Sequence, residues 1–110
     1  MMKMKSTTIY KKWDIVLVPF PFTDSKSKKK RPVLIVSPEQ YNESKNVIVL
    51  QISSKKDIYD EDYKIKDWES ANLPASAYIK MKFATIKQEI IYKKIGRLPE
   101  IDIKIFKNYL

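Results

Sequence analysis

The residue types available for chemistry in this chain are restricted because two of the most versatile ones are absent. The 110 residues contain no histidine and no cysteine, which removes the commonest general base, the commonest metal ligand and the thiolate nucleophile. Any catalysis must therefore use Arg, Lys, Asp, Glu, Ser, Thr or Tyr. The absence of cysteine also excludes disulfides and fits a cytoplasmic protein.

Positive charge is concentrated in the first half of the chain. Residues 1–56 contain 12 Lys or Arg against 4 Asp or Glu, whereas residues 57–110 contain 10 against 9. An uneven basic chain with a net charge of +9 indicates a polyanionic partner, either a nucleic acid or an anionic membrane. A lysine-rich solvated surface without a partner would give the same composition, so charge alone leaves both interpretations open.

The densest basic segment joins two apolar runs. Residues 14–22 (DIVLVPFPF) and 32–37 (PVLIVS) are rich in β-branched and aromatic residues, so each run is predicted to be a strand. Pro19 and Pro21 cannot donate to a strand ladder, so the second half of the first strand must be an edge or a bend. The polar run 23–30 (TDSKSKKK) closes a long hairpin, and Arg31 lies where this loop meets the second strand.

The remaining elements are predicted from periodicity. Residues 77–83 (AYIKMKF) alternate, which indicates a half-buried strand with Ala77, Ile79, Met81 and Phe83 on its inner face. The last residues are predicted to form one amphipathic helix with Pro99 in its first turn and Ile101, Ile105, Phe106 and Tyr109 on one face. Further strands are predicted at residues 47–53 and near 63–65, with a turn-containing connection at 37–46 and a strand or helical turn at 85–92.

The order of these elements indicates one small, mainly β domain. Short strands followed by a single helix suit a curled sheet or barrel rather than an alternating βαβ fold. The domain is predicted to span residues 13–110 after a flexible arm at residues 1–12, and Gly96, the only glycine, is predicted to occupy a special backbone position. We expect no signal peptide and no membrane span, because no apolar run is long enough.

The hairpin resembles a known family. Residues 14–24 (DIVLVPFPFTD) and 30–37 (KRPVLIVS) are similar to the opening of the PemK/MazF-like toxins, and weaker similarity extends over most of the chain from residue 13. The resemblance implies a mainly β (β+α) fold, a small SH3-like barrel with a C-terminal helix of the MazF/CcdB/Kid type, assembled as a homodimer. The weaker matches are residues 47–53, 67–69, 76–85 and 94–98.

The resemblance also implies an activity and partners. The expected activity is sequence-preferring cleavage of single-stranded RNA, usually mRNA, by a toxin of a type II toxin–antitoxin system. The RNA supplies its own nucleophile, the ribose 2′-hydroxyl, so we expect no metal and no other cofactor. The expected partner is a small antitoxin whose acidic segment occupies the RNA groove.

Two catalytic residues follow from the family match. The family's catalytic arginine corresponds to Arg31, whose guanidinium is always charged and offers a planar fork of donors to phosphate oxygens. The family's catalytic threonine corresponds to Ser53, which keeps the hydroxyl but lacks the methyl group that restricts the rotamer. Some members also use an arginine and an aspartate on the later strand, for which this chain has no clear match. The predicted RNA-binding residues are Phe22, Lys26, Lys28, Lys29, Lys30, Lys55, Lys80 and Lys82.

Other polar and aromatic residues are given structural interpretations. Trp13, where the family usually has glycine, is predicted to cap the barrel. Phe20 is predicted to lie in the core, whereas Tyr41 and Tyr78 are left open between core packing and base stacking. Asp14 and Asp24 are not interpreted as an acid pair, because Asp24 suits a turn. The acidic stretch 57–69 is interpreted as a solvated loop rather than a metal site.

Three alternative functions stay open. A catalytically weak or inactive relative that binds only RNA or an antitoxin is favoured by Ser53 and by the missing arginine–aspartate pair. An SH3-like module that binds proline-rich segments would need an aromatic groove, and both the Arg31-Pro32 hairpin and the basic first half argue against it. Gyrase poisoning, known for a sister branch of the implied fold, is the third.

Overall fold

The computed structural model describes residues 9–20, 29–55 and 62–110. Within these ranges the chain forms six strands, two short α-helices and two 3-10 turns. Residues 1–8 of the predicted arm and residues 21–22 of the predicted first strand lie outside them. The elements are β1 (Asp14–Pro19), β2 (Lys30–Ile35), α1 (Glu39–Asn42), β3 (Asn46–Ser53), β4 (Tyr63–Lys64), β5 (Tyr78–Lys87), a 3-10 turn (Gln88–Ile90), β6 (Lys93–Arg97), α2 (Glu100–Phe106) and a second 3-10 turn (Lys107–Tyr109).

The strands form one curled antiparallel sheet in the order β4-β5-β3-β2-β1-β6. The three most apolar strands occupy its centre, where both neighbours satisfy their backbone groups. The lysine-rich β6 forms one edge, as expected for a strand that must avoid pairing with other chains. The predicted mainly β fold with a C-terminal helix is confirmed.

Both faces of the central strands are buried. One face carries a core cluster that includes Ile15, Leu34 and Leu50, and the opposite face carries another that includes Val16 and Val33. All five side chains are fully buried. This explains why these strands are almost continuously apolar in sequence instead of alternating with polar residues.

Helix α2 covers the first of these clusters. Ile103 and Phe106 are buried, and the Trp13 ring meets Phe106 edge-on at a centroid distance of 6.2 Å, so Trp13 packs against the core as predicted. Its φ of 82° lies in the left-handed region, which costs about 1–2 kcal/mol for a residue with a side chain. Glycine adopts a positive φ without this cost. The backbone conformation therefore explains why glycine is expected here from the family resemblance.

Asp102, in the first turn of α2, is fully buried. Its carboxylate accepts hydrogen bonds from the Tyr63 hydroxyl at 2.6 Å and from the backbone N–H groups of Lys66 (2.7 Å) and Asp67 (3.0 Å). The prediction of which helix residues face the core is therefore partly wrong. Asp102 and Ile103 point inward, whereas Ile101 is 53% exposed. A buried carboxylate is tolerated here because three donors from another part of the chain satisfy it.

A polar cluster closes the connection between β2 and β3. The Ser37 hydroxyl donates to the side-chain oxygen of Asn42 and accepts the Ile48 N–H at 3.0 Å. The Asn42 side-chain amide donates to the Tyr10 carbonyl at 2.7 Å. We call Ser37 and Asn42 with these contacts the polar lock. It requires the short helix α1, which replaces the simple turn predicted for residues 37–46.

Strand β5 departs from the predicted alternation. Its pairing with β3 runs to Leu50 opposite Phe83 and resumes at Ile52 opposite Ile79, so β5 has two extra residues in this interval. This bulge rotates the side chains away from a simple period of two. Phe83, predicted to face inward, is 58% exposed, whereas Lys80 is only 8% exposed.

Gly96 and Pro99 were both predicted to have special backbone roles near the start of the last helix. A Cβ on Gly96 would lie 2.3 Å from the Ala71 carbonyl oxygen, so the predicted special position exists because another backbone approaches closely. Pro99 is the N-cap of α2, one residue before the first turn in which it was predicted.

Candidate functional site

Arg31 is held at the start of β2 with its backbone paired to Val18 of β1. Its side chain is half-buried, and the guanidinium carbon lies 4.9 Å from the centre of the Phe20 ring. The Nε atom is buried and has no hydrogen-bond partner in the part of the chain that the structure describes. An unmade hydrogen bond of a buried donor costs about 1–3 kcal/mol, so the described residues leave the hydrogen-bonding capacity of this guanidinium partly unsatisfied.

Ser53 ends β3 and is half-buried. Its hydroxyl oxygen accepts the backbone N–H of Lys55 at 3.1 Å, which bends the chain after the strand. A hydroxyl has one proton and two lone pairs. The proton and the second lone pair of Ser53 therefore stay available for a ligand while the turn is maintained.

The strand register brings these two residues together. In the β2–β3 ladder, Val33 lies opposite Gln51 and Leu34 opposite Leu50, and extending this register by two residues aligns Arg31 with Ser53. Opposed side chains on neighbouring strands point to the same face with Cβ atoms about 4.5–5.5 Å apart. Tyr78 of β5 in turn pairs with Ser53. Arg31, Ser53 and Tyr78 therefore lie side by side across β2, β3 and β5, and the Tyr78 side chain is half-buried.

Atoms of Arg31 and Ser53 line the same cleft, which has a volume of about 210 Å³. Strand alternation directs Pro32 and Ile52 to the other face of the sheet, so the cleft wraps around the strand ends instead of lying on one face. Its remaining wall was not anticipated from the sequence, although residues 76–85 fell within the weak family match. The cleft is lined by Lys29, Lys30, Arg31, Pro32, Ile52, Ser53, Ser54, Leu73, Pro74, Ala75, Ser76 and Ala77.

The predicted RNA-binding lysines fall into different environments. Lys29 and Lys30 line the cleft, and Lys55 is exposed directly beyond Ser53. Lys82 is exposed on β5 but does not line the cleft. Lys26, Lys28 and Phe22, together with Asp24, lie outside the described residues.

The Lys80 side chain forms a buried ion pair and is not open to solvent. Its ammonium lies 2.6 Å from an Asp62 carboxylate oxygen, and the two side chains are 10% and 0% exposed. A buried ion pair is held in place by the high cost of leaving either charge unpaired. Lys80 is consequently a poor candidate for RNA contact.

The acidic stretch 57–69 is more than a solvated loop, because Asp62 and Tyr63 are packed. Residues 57–61 lie outside the described ranges.

The aromatic residues are also distributed differently from the prediction. Phe20, predicted to be core, is half-buried and faces the Arg31 guanidinium. Tyr41 is 38% exposed on α1 and is not part of the cleft wall. Tyr92, which no sequence pattern indicated, is 62% exposed and directly precedes β6.

The buried ionisable groups away from the cleft serve the fold. Asp14 is 2% exposed, accepts the Lys11 N–H at 2.8 Å and lies 3.2 Å from the Lys94 ammonium, so it is not a free acid. Burial raises the pKa of Tyr63, and the hydrogen bond to Asp102 raises it further. Burial, followed by the charge of Asp14, also raises the pKa of Tyr10.

Two other kinds of site are absent from the described ranges. No group of three or more acidic side chains there is arranged to hold a metal ion. None of the helices in those ranges has the length and apolar content that crossing a bilayer requires.

Solved structures with the same fold include two from Deinococcus radiodurans. MazF (Form-I) superposes with a TM-score of 0.68 at 15% identity, covering 92% of this chain and 92% of that one. The MazE–MazF complex (Form-III) gives a TM-score of 0.65 at 14% identity, covering 93% and 97%. A mycobacterial endoribonuclease in complex with its cognate antitoxin gives 0.64 at 11% identity, covering 93% and 89%.

Sequence comparison gives the family directly. No curated protein sequence matches the chain significantly. The profile of the PemK-like, MazF-like toxins of type II toxin–antitoxin systems matches residues 11–110, which is nearly the whole chain and includes the hairpin, the cleft and α2. The chain therefore belongs to the PemK-like, MazF-like toxin family of type II toxin–antitoxin systems.

Proposed function

We propose that this toxin is an endoribonuclease that cleaves single-stranded RNA by attack of a ribose 2′-hydroxyl on the adjacent phosphorus. The observation that carries the proposal is the shared cleft of Arg31 and Ser53, in which the guanidinium has a buried donor without a protein partner among the described residues. The same two residues correspond to the catalytic pair of the family that the chain resembles.

The reaction requires only protein side chains and RNA. The 2′-oxygen forms a bond to phosphorus and loses its proton, while the bond to the 5′-oxygen breaks and that oxygen gains a proton. The products are a 2′,3′-cyclic phosphate and a 5′-hydroxyl. Water can carry the proton from the 2′-oxygen to the 5′-oxygen. The chain has no histidine or cysteine side chains that could bind a metal, which favours a mechanism without a metal.

Arg31 and Ser53 have complementary roles in this proposal. Arg31 stabilises the negative charge that develops on the phosphoryl oxygens, a contribution that often dominates catalysis. Its planar fork of donors can bind two oxygens at once, which a lysine ammonium cannot reproduce. Ser53 donates its hydroxyl proton to a phosphoryl oxygen or orients the 2′-hydroxyl.

The RNA backbone is proposed to follow the basic rim of the cleft. Lys29, Lys30 and Lys55 border Arg31 and Ser53, and the other predicted RNA-binding residues Phe22, Lys26 and Lys28 precede Lys29 in the sequence, outside the described residues. Lys82 extends the surface on β5. Each phosphate that is neutralised should contribute about 0.7 to the slope of log affinity against log salt for a single strand.

The proposed partners follow from the family and from the neighbours. The mycobacterial neighbour is an endoribonuclease bound to its cognate antitoxin, and a Deinococcus neighbour is a MazE–MazF complex. We propose that this toxin likewise binds an antitoxin, whose acidic segment competes with RNA for the basic rim, and that it acts as a homodimer.

The decisive experiment is cleavage of a long mixed-sequence RNA with mapping of both new ends. Arg31→Ala should abolish cleavage, and Arg31→Lys should recover little of it. Ser53→Ala should lower the single-turnover rate by about 10²-fold or more, whereas Ser53→Thr should be tolerated. EDTA should have no effect.

Two controls make the result interpretable. Ser70→Ala, an exposed serine outside the cleft wall, should cleave like the parent. Melting curves should show that the Arg31 and Ser53 variants stay folded. A 5′-phosphate product, loss of activity in EDTA, or parental rates for both Arg31→Ala and Ser53→Ala would refute the proposal and favour an inactive relative.

A further inference from the structure

Tyr92 presents an aromatic ring to solvent between two lysines. The side chain is 62% exposed. The ammonium nitrogens of Lys30 and Lys93 lie 5.4 Å and 5.9 Å from the ring centre. Lys30 belongs to β2, Lys93 begins β6 and Tyr92 directly precedes it. These two strands are not neighbours in the sheet, since β1 lies between them. The cluster is therefore assembled by the fold and is not a local run of sequence.

The position of this cluster is fixed relative to the cleft. The Tyr92 N–H donates to the Leu17 carbonyl at 2.8 Å, and Leu17 pairs with Lys93 on one side and with Pro32 on the other. Lys30 lines the cleft and immediately precedes Arg31. A strand of RNA that leaves the cleft past Lys30 thus meets Tyr92 next.

We propose that Tyr92, Lys30 and Lys93 form a stacking subsite for a base of the single-stranded RNA outside the cleavage cleft. The inference rests on the proposed endoribonuclease function and extends it to a second contact point on the same strand. Stacking of a base on an aromatic side chain is worth about 1–3 kcal/mol.

The two lysines fit the backbone beside that base. A lysine ammonium on a flexible stem gains only about 0.5–1 kcal/mol from an exposed ring. The Lys93 ammonium can therefore leave the ring for a phosphate and expose the π-face to a base, while Lys30 keeps positive charge beside the ring. An exposed ring with cations over it matches a nucleotide, which has both a π-face and a negative charge, better than it matches an acidic peptide, which has only the charge.

The test measures binding, so that it does not depend on cleavage. The probe is a fluorescently labelled, mixed-sequence 2′-O-methyl RNA dodecamer, which lacks the attacking hydroxyl, and affinity is followed by fluorescence anisotropy over a series of salt concentrations. Tyr92→Ala should weaken binding about 5- to 100-fold, with an unchanged salt slope. Tyr92→Phe should restore the affinity, because it keeps the π-face. Lys93→Gln should instead reduce the slope by about 0.7.

A matched control and a competing partner complete the design. Tyr41→Ala removes another exposed tyrosine, which lies on α1 and outside the cleft wall, and should bind like the parent. Unchanged affinity of Tyr92→Ala would overturn the subsite even if Arg31→Ala abolishes cleavage of ordinary RNA. A glutamate dodecapeptide whose binding depends on Tyr92, when RNA binding does not, would assign the cluster to an acidic partner instead.

Discussion

The contact between Phe20 and Arg31 leads to a prediction that separates positioning from binding. Phe20→Leu keeps an apolar side chain of similar bulk but removes the π-face that lies 4.9 Å from the guanidinium carbon. The backbone hydrogen bond from the Phe20 N–H to the Lys29 carbonyl, at 2.9 Å, does not depend on the side chain. The substitution should therefore leave the hairpin intact while the guanidinium loses its orientation.

The magnitude follows from the environment of the pair. Cation–π contacts range from about 0.5–1 kcal/mol at exposed sites to about 2 kcal/mol when desolvated. The Arg31 side chain is half-buried and its Nε is fully buried, so we expect a value of about 1–2 kcal/mol. At about 1.4 kcal/mol for each factor of ten, this corresponds to a rate loss of roughly 5- to 30-fold.

The loss should appear in the chemical step. In the proposed mechanism Arg31 contributes most when charge develops on the phosphoryl oxygens, so a misplaced guanidinium should lower the rate at saturating RNA more than it lowers affinity. Single-turnover cleavage at saturating RNA measures this rate, and anisotropy on the 2′-O-methyl dodecamer measures the affinity. Phe20→Tyr keeps the ring and should recover most of the lost rate.

Several results would contradict this reasoning. A parental single-turnover rate for Phe20→Leu would mean that the ring does not orient the guanidinium. An equal loss for Phe20→Tyr and Phe20→Leu would assign the effect to packing instead of the π-face. A fall in melting temperature together with the rate would point to a structural role for Phe20.

Two further predictions concern stability. Gly96→Ala should lower the free energy of unfolding by about 1–3 kcal/mol, because the new Cβ meets the Ala71 carbonyl oxygen at 2.3 Å; thermal unfolding tests this, and an unchanged melting temperature would contradict the close approach. The pKa of Tyr63 is raised in the folded state by burial and by Asp102, so its contribution to stability is complete below the unfolded value of about 10 and is lost as the pH rises above it. Tyr63→Phe should cost about 1 kcal/mol at neutral pH and should show a smaller loss of stability than the parent between about pH 10 and 12; parallel pH profiles in urea denaturation would refute the assignment.

The central strands were predictable from sequence because their signal is local. Runs such as residues 32–37 and 47–53 are β-branched and continuous, and the loop residues between them mark the turns. The positions of Arg31 and Ser53 at strand ends follow from those runs. Their alignment in one cleft could not be deduced from either run alone, because it depends on the register between the strands.

The failures of prediction share a physical origin in distant partners. Lys80 is buried because Asp62, 18 residues away, pairs with it, and the bulge of β5 disrupts the alternation from which Phe83 was expected to face inward. Asp102 faces inward because Tyr63, Lys66 and Asp67 provide its donors. A hydrophobic pattern contains no information about such pairs.

The burial of both faces of the central strands has a consequence for strand register. In a half-buried strand, a slip of one residue moves every apolar side chain into water, and this penalty fixes the pairing. In β2 and β3 such a slip would exchange one apolar face for another, so the hydrophobic pattern alone discriminates weakly between registers. It would also place Ile52 or Ser54 opposite Arg31, and the two proposed catalytic groups would no longer share a face.

The polar lock at the opposite end of the same strand pair distinguishes these registers. Its bond from the Ile48 N–H to the Ser37 hydroxyl crosses from β3 to the end of β2, so a slip would take this donor away from the buried Ser37 side chain. A substitution such as Ser37→Ala, several residues along the strands from the cleft, is thus expected to act on the site by permitting misregistered chains. The accuracy of the Arg31–Ser53 alignment depends in this way on residues that do not line the cleft.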